Sequence, residues 1–530
     1  MSTTPDQLPD DIEALKALLV EQMVKREELD AHTAHLQQEN LRIKAEVLSL
    51  KEQLTLALAR RYASSSEKIS PDQIRLFDEA EAAAAAEPEA LKSEASTTVV
   101  AEHARRKGGR RPLPEALPRV DVVYELEADE RCCERDGAEL VEIGEVSSEQ
   151  LDIIPAQVRV IRHVRKQYAC RSCGECVKTA PLPAQPIPKS LASPGLLAHV
   201  VVSKYQDALP LYRQEKILQR IGIELPRATL SNWMIQAGTL IQPLINLMRE
   251  RLIAGDFVQM DETSVQVLKE PGKRAQSKSY LWVQRGGPPD HPLVLYDYDP
   301  SRAQRVPERL LDGFSGYLQT DGYEGYNAVA AKAGIVHIGC WAHARRKFND
   351  AVKVQSKQQR TSKAWRGLSL IQKLYRVERL MKDASAEERH SYRLEHARPI
   401  LDELRAWLDS SLPQVPPKSA TGKALHYLHS EWPKLVGYLE DGRLPIDNNL
   451  TENAIRPFVV GRKNWLFSDS VRGVNASANL YSLIETAKAN RLEPYAYLRY
   501  LFAALPKAET VDDIEALLPG NIDPHHIALR

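Results

Sequence analysis

Apolar positions near the start of the chain recur with helical spacing. Residues 11–60 contain neither Gly nor Pro. Leu29, Leu36, Ile43 and Leu50 fall seven apart there, with Thr33, Asn40, Val47 and Leu54 on the second seam. About four heptads of this kind predict a coiled coil over 11–60, in which Asn40 fixes register at a cost in stability. The other reading is a single amphipathic helix lying on a domain. Residues 61–118 lose the periodicity. An Ala- and Glu-rich tract (78–98) followed by HARRKGGRRPLP (103–114) predicts a flexible linker. Strand-like runs such as QVRVIRHV (157–164) then alternate with cysteine-bearing turns across 119–190.

Within 194–250, the stretch PLYRQEKILQRIGIELPRATLSNWMIQAGT (210–239) predicts two helices joined by a turn between Gly222 and Pro226. Leu230, Trp233 and Ile235 would face inward, and Arg227, Thr229, Ser231 and Asn232 outward. That is the layout of a helix-turn-helix, although helical hairpins also occur without DNA. From 256 the period changes to two. DFVQMDETSVQVL (256–268), SYLWVQR (279–285) and PLVLYDY (292–298) predict three strands, and SRAQRVPERLLDG (301–313) a helix. GYLQT (316–320) and IVHIGC (335–340) predict two more strands around a short helix. The order predicts an α/β fold in which an antiparallel meander feeds a parallel portion. Residues 343–444 and 471–530 are helical in pattern.

Composition adds bounds rather than an identity. A chain of 530 residues predicts two to four domains. Its 71 basic and 71 acidic residues cancel, so no global charge points to nucleic acid. The N-terminus lacks the basic and apolar regions of a signal peptide, and no apolar run is long enough for a membrane span. Six cysteines in this length read as cytosolic thiols or metal ligands, which predicts a cytoplasmic protein. Locally the charge is uneven. Residues 103–114 hold five Arg/Lys, among them Arg105, Arg106 and Arg110, either an arm for phosphates or a minor groove, or a solvated linker. Residues 340–380 hold eleven Arg/Lys, including Arg345 and Arg346, against two acids. That is either a basic wall for a phosphodiester or a solvated helical face.

Five of the cysteines lie between 132 and 176. Cys170 and Cys173 have the C-x-x-C spacing that lets two thiolates reach one tetrahedral zinc, with Cys176 and Cys133 as further ligands. The pair Cys132-Cys133 is not a C-x-x-C, and buried or idle thiols are the alternative.

Three acids carry the chemistry. Asp261 lies inside the first strand of the meander, where an unpaired carboxylate is costly. Asp321 ends the fourth strand, and strand ends in open α/β sheets are where ligands bind. First and fourth strands side by side would bring both carboxylates together, which repel unless a divalent cation lies between them. LPIDNNLTENAIRP (444–457) predicts a helix start with Asn448, Glu452 and Arg456 on one face. A capping box, with Asn449 as N-cap and Glu452 as its partner, explains that stretch alone but not the two aspartates.

The set MDET, TDGY, CWAHARRKF, LPIDNNLTENAIRP, GRKNWLF and LYSLIETAKAN, in this order, resembles the DDE transposases of the insertion-sequence 66 family over nearly the whole chain. The resemblance implies a ribonuclease-H-like catalytic domain from 255–342 and 445–470, split by a basic helical insertion at 343–444. It places the acidic triad on Asp261, Asp321 and Glu452, holding two Mg²⁺ (or Mn²⁺) ions. His343 would orient a water or phosphate, or hydrogen-bond to the sheet. Arg456, Arg462 and Lys463 would contact phosphates near the cut, and Trp465 would stack on a base or pack in the core. The partners implied are double-stranded DNA (element ends and target), a second copy of the chain as homo-oligomer, and accessory proteins, with no membrane. The family pattern also has a regular first cysteine pair, from which Cys132-Cys133 departs, leaving Zn²⁺ open. The competing readings are a metal-dependent nuclease on the same fold and a non-catalytic DNA end-binding protein or repressor.

Overall fold

The computed structural model describes residues 11–62, 158–169, 177–179, 182–354 and 362–527. Most of the expected linker, with Arg105, Arg106 and Arg110, and the ligand candidates Cys133, Cys170, Cys173 and Cys176 lie outside the described residues. The chain divides into two units, one of residues 79–182 and one of residues 1–78 with 183–530. In the smaller unit β1 (Gln167–Ala169) and β2 (Val177–Thr179) pair antiparallel, Ala169 opposite Val177.

The larger unit opens with α1 (Ile12–Tyr62), a single helix of 51 residues. Its seam is uncovered: Leu29, Leu36, Ile43 and Leu50 are 64, 51, 49 and 58% exposed. Near its end, Glu52 Oε2 accepts a hydrogen bond from the Ala420 N–H. Next come α2 (Pro194–Tyr205), α3 (Leu211–Arg220), α4 (Arg227–Leu240) and α5 (Gln242–Ile253). Ser193 starts α2 by accepting from the Leu196 N–H, with Pro194 at the first helical position. The turn between α3 and α4 passes through Gly222 at φ +80°.

The sheet contains β3 (Phe257–Lys269), β4 (Lys278–Gly286), β5 (Leu293–Asp299), β6 (Gly316–Gln319) and β7 (Ile335–Ile338). Helix α6 (Arg305–Leu310) lies between β5 and β6, and α7 (Asn327–Ala330) between β6 and β7. The strand order is β5-β4-β3-β6-β7. The β3–β4 and β4–β5 pairs are antiparallel, and β3–β6 and β6–β7 are parallel. The expected meander feeding a parallel portion is therefore present, with first and fourth strands adjacent. Leu281, Trp282 and Val283 on β4 are all buried, as a central strand covered on both faces requires. Gly316 makes the β3–β6 contact possible: its φ is +139°, and a Cβ there would lie 2.3 Å from the Asp256 carbonyl oxygen. The helix expected over 301–313 is shorter, at 305–310, because the chain through Arg302 is held by side-chain contacts instead.

Helices α8 (Trp341–Val354), α9 (Lys363–Leu380), α10 (Ala386–Tyr392), α11 (Arg398–Ser411), α12 (Ala420–Ser430) and α13 (Trp432–Val436) follow β7. They enclose a core of their own, with Trp341, Phe348, Ile371, Leu404 and Leu425 fully or nearly fully buried. The chain then returns to the sheet through α14 (Asn449–Trp465), β8 (Ser468–Ser470) and α15 (Val471–Ala489), and ends in α16 (Pro494–Ala504) and shorter turns. Strand β8 pairs parallel with the far end of β3, Val267 opposite Ser468. The capping-box expectation is corrected here. Asn448, not Asn449, occupies the N-cap position of α14, and its side chain makes no cap. The Asn449 side-chain amide instead donates to Asp447, so Glu452 is left for another role. Among the described residues no helix is long and apolar enough to cross a membrane.

Candidate active site

Two neighbouring strands set the first two acids. Gln259 on β3 is the register partner of Gln319 on β6. Asp261 follows two residues later on the same face of β3, whereas Asp321 lies two residues beyond the end of β6, in the loop that follows it. The third acid comes from the first turn of α14, which packs against β3 and β4. Glu452 is 8% exposed. Among the described residues no three or more His, Cys, Asp or Glu side chains are grouped so as to hold a metal ion. The acids nevertheless sense one another. Burial, and then the charges of Glu262, Asp321 and Glu452, hold the Asp261 carboxyl well above the usual carboxylate range, against one backbone N–H donated by Glu262.

Cations and one imidazole close the site from α8. Arg346 Nη2 lies 3.3 Å from Glu452 Oε2, and His343 Nε2 lies 3.7 Å from Oε1. Neither distance satisfies Glu452 Oε1 or His343 Nδ1, which are buried without a hydrogen-bond partner. Burial pushes the His343 pKa down, with Glu452 opposing and Arg346 reinforcing. Tyr427 of α12 packs so closely on Gly322 that a Cβ there would lie 2.8 Å from its ring, which presses the helical segment onto the Asp321 loop.

Sequence reasoning missed a second charged group beside Asp261. Glu262, 2% exposed at the side chain, pairs with Arg302 at 2.5 Å and accepts from the Tyr326 hydroxyl at 2.5 Å. Arg302 lies 3.8 Å above the Tyr323 ring, and the Tyr323 N–H donates to Asp321. Asp447 was also missed. It accepts from Tyr375 Oη and the Asn449 amide, and burial raises its carboxyl. The available signal was adjacency, since each lies within a few residues of a named acid.

The other expected residues fall in two places. Arg456, Arg462 and Lys463 lie along α14. The Arg462 guanidinium is tied to the Ser264 carbonyl and to the hydroxyls of Thr263 and Ser264, while Lys463 is exposed. Trp465 packs edge-on to Phe458 at 5.3 Å. On α4, Arg227, Ser231 and Asn232 are exposed, Thr229 half-buried, and Leu230 and Trp233 buried. Arg345 lies on α8 with its guanidinium 5.2 Å from the Tyr375 ring.

The acids thus gather beside the mixed sheet with the guanidinium groups of Arg302 and Arg346 against them. Comparison with known proteins supplies the family. Residues 189–476 match the family described as "Transposase IS66 family". Residues 130–174 match "zinc-finger binding domain of transposase IS66", 482–519 "IS66 C-terminal element" and 49–122 "Transposase C of IS166 homeodomain". The chain belongs to the IS66 transposase family. Among its relatives are two uncharacterized proteins of Sinorhizobium fredii. One, y4jD, is 36% identical over 423 residues, covering 77% of this chain and 81% of its own. The other, y4qI, is 34% identical over 544 residues, covering 98% of each.

Proposed function

We propose that this chain cuts and joins DNA at the ends of an insertion sequence, with Asp261, Asp321 and Glu452 holding two divalent ions, Mg²⁺ or Mn²⁺. The observation that carries the reading is the charge of Asp321 and of buried Glu452 felt at Asp261, on adjacent parallel strands β3 and β6 and the loop after β6. The strand order, three antiparallel strands followed by two parallel ones, supports a ribonuclease-H-like reading of 255–342 with 445–470, into which 343–444 is inserted. The residues fit a cation. Asp261 is burdened by three neighbouring carboxylates, and Glu452 Oε1 is buried without a hydrogen-bond partner. When bound, the ion pair would supply an activated water or 3′-hydroxyl and a neutralised leaving oxygen.

The chain's own groups do the rest. His343 would orient a water or a phosphate oxygen. Arg346 would exchange its contact with Glu452 for the substrate phosphate, and Arg345, Arg456 and Lys463 would bind the flanking backbone. Arg462, tied into β3, would shape the site rather than touch a distant phosphate. The α3–α4 hairpin would read element ends through Arg227, Thr229 and Asn232, assisted by an arm with Arg105, Arg106 and Arg110. Strands β1 and β2 bracket a connection with three thiols. Cys170, Cys173, Cys176 and Cys133 would hold Zn²⁺ there, thiolates being its preferred donors. The uncovered seam of α1 would pair two copies in the cytoplasm, with accessory proteins of the element as further partners.

The test compares wild type with Glu452→Gln on labelled duplexes carrying the element's ends, in Mg²⁺ or Mn²⁺. The variant should bind the ends yet neither nick nor join them, a loss of at least about 10³-fold for removing a metal ligand. Cutting at the wild-type rate would sink the triad. Nicking without joining by the wild type would favour the nuclease, and binding alone the non-catalytic reading.

A further inference from the structure

Three polar side chains lie under the acids with no exposure at all. Gln259, Gln319 and Thr451 are each 0% exposed. Each lies just before one of the acids: Gln259 two residues before Asp261 on β3, Gln319 at the end of β6 two residues before Asp321, and Thr451 one before Glu452 on α14. They are bonded to one another. Gln259 Nε2 donates to Gln319 Oε1 at 2.7 Å, and Thr451 Oγ1 donates to Gln259 Oε1 at 3.0 Å. The remaining amide hydrogens go to main-chain carbonyls, from Gln259 to Asp447 at 3.1 Å and from Gln319 to Gly339 at 3.1 Å and Pro445 at 2.9 Å. Those carbonyls cannot donate, so each amide has one permitted orientation.

The network is therefore complete and directional. It spans β3, β6, the end of β7, the loop before α14 and the first turn of α14. Apolar residues of the same shape would fill this space at little cost or a gain, since a buried hydrogen bond adds only about 1 kcal/mol net. What apolar packing does not provide is a set of fixed heights. Hydrophobic contact tolerates sliding of a helix along a sheet, whereas hydrogen bonds of this length and direction do not. On a strand, i and i−2 share a face, so the bond from Gln259 to Gln319 ties the root of Asp261 to the last residue of β6, from which the chain runs through Thr320 to Asp321. Locking Thr451 to Gln259 sets the roll and height of the turn that carries Glu452.

We propose that Gln259, Gln319 and Thr451 form a positioning ladder that sets the separation of the three carboxylates for a pair of divalent ions. This rests on the carboxylate reading above, and the experiment separates the two. Mn²⁺ binding to the full-length protein is titrated by the electron paramagnetic resonance signal of the free ion, alongside urea unfolding. The proteins are wild type, Thr451→Val, Thr451→Ser, Gln319→Met and Asp261→Asn. Thr451→Val keeps the shape and removes one donor, and should weaken Mn²⁺ binding about 10- to 100-fold, the usual effect of removing a group that orients metal ligands. Thr451→Ser keeps the hydroxyl and should bind within about threefold of wild type. Gln319→Met should behave like Thr451→Val; should it not fold, Thr451→Val alone carries the test. A Thr451→Val protein that unfolds earlier in urea but binds Mn²⁺ as wild type does would overturn the ladder and leave a merely structural network. If Asp261→Asn binds Mn²⁺ undiminished, the carboxylate reading itself falls, and the ladder with it.

Discussion

Arg393 is 1% exposed. Its guanidinium forks onto both oxygens of Glu378 at 2.9 and 2.6 Å and donates to the carbonyls of Tyr438, Asp441 and Leu444. It lies in a single wide turn of π-helix (393–397) between α10 and α11, and it holds the chain that leads into Pro445 and α14. Removing one partner of a buried pair leaves the other uncompensated, so Arg393→Met should lose about 3–5 kcal/mol in urea unfolding. Arg393→Lys should recover little, because one ammonium cannot replace a planar fork. His337 makes the corresponding case for pH. Its Nε2 lies 2.8 Å from Thr320 Oγ1, and burial with Lys434 nearby lowers its pKa to about 4. An unfolded histidine takes its proton near pH 6.5. The neutral ring's contribution is thus present above about pH 6.5 and is lost as pH falls toward 4. The stability gap between wild type and His337→Gln should narrow from pH 7 to pH 5 by the same measurement. At this scale the burial of Asp261 was legible, because an acid inside a strand is costly unless something meets it. Glu262 was not: in a strand reading, the neighbour of an inward acid points outward to solvent. Arg302 and Tyr326 bury it instead, and neither belongs to the periodic pattern.

Among the elements, β5 shows how an edge strand is closed. It pairs only with β4 in the sheet, which leaves alternate N–H groups facing away. The Val294 N–H donates to Thr486 Oγ1 at 2.9 Å and the Tyr296 N–H to Ser482 Oγ at 2.8 Å, two hydroxyls four residues apart on α15. Thr486 returns a bond to the Val294 carbonyl. Ser482→Ala with Thr486→Val would leave two buried N–H groups unmet, at about 1–3 kcal/mol each. The double variant should unfold several degrees earlier in calorimetry and scatter more light on standing, as the strand edge becomes available to another copy. Strand positions from β3 to β7 were legible to within two residues because the period-two pattern and the turn residues agree. The cover on β5 was not, since Ser482 and Thr486 sit in a helix whose apolar residues give no sign of what its hydroxyls meet. At the start of α14 two readings stood open for a related reason: a capping box and an acid aimed at a sheet share the same spacing, and the fold removes the capping box.

Among the described residues there are two packed cores, one under the sheet with the flanking helices and one within α8–α13, and a long α1 whose seam residues are exposed. If a second copy covers that seam, as proposed, light scattering coupled to size exclusion should give at least a dimer. Leu36→Asp with Ile43→Asp should give a monomer with unchanged α/β content by circular dichroism. The second core also has a temporal meaning. A chain leaves the ribosome from its first residue, and each contact forms only when its later partner has emerged. Strands β3 to β7 and then the helices α8–α13 leave the ribosome while Glu452 and β8 are still unmade. The three acids proposed to hold the metal ions can therefore meet only after the whole insertion has been made, and a chain broken off within it carries two of the three.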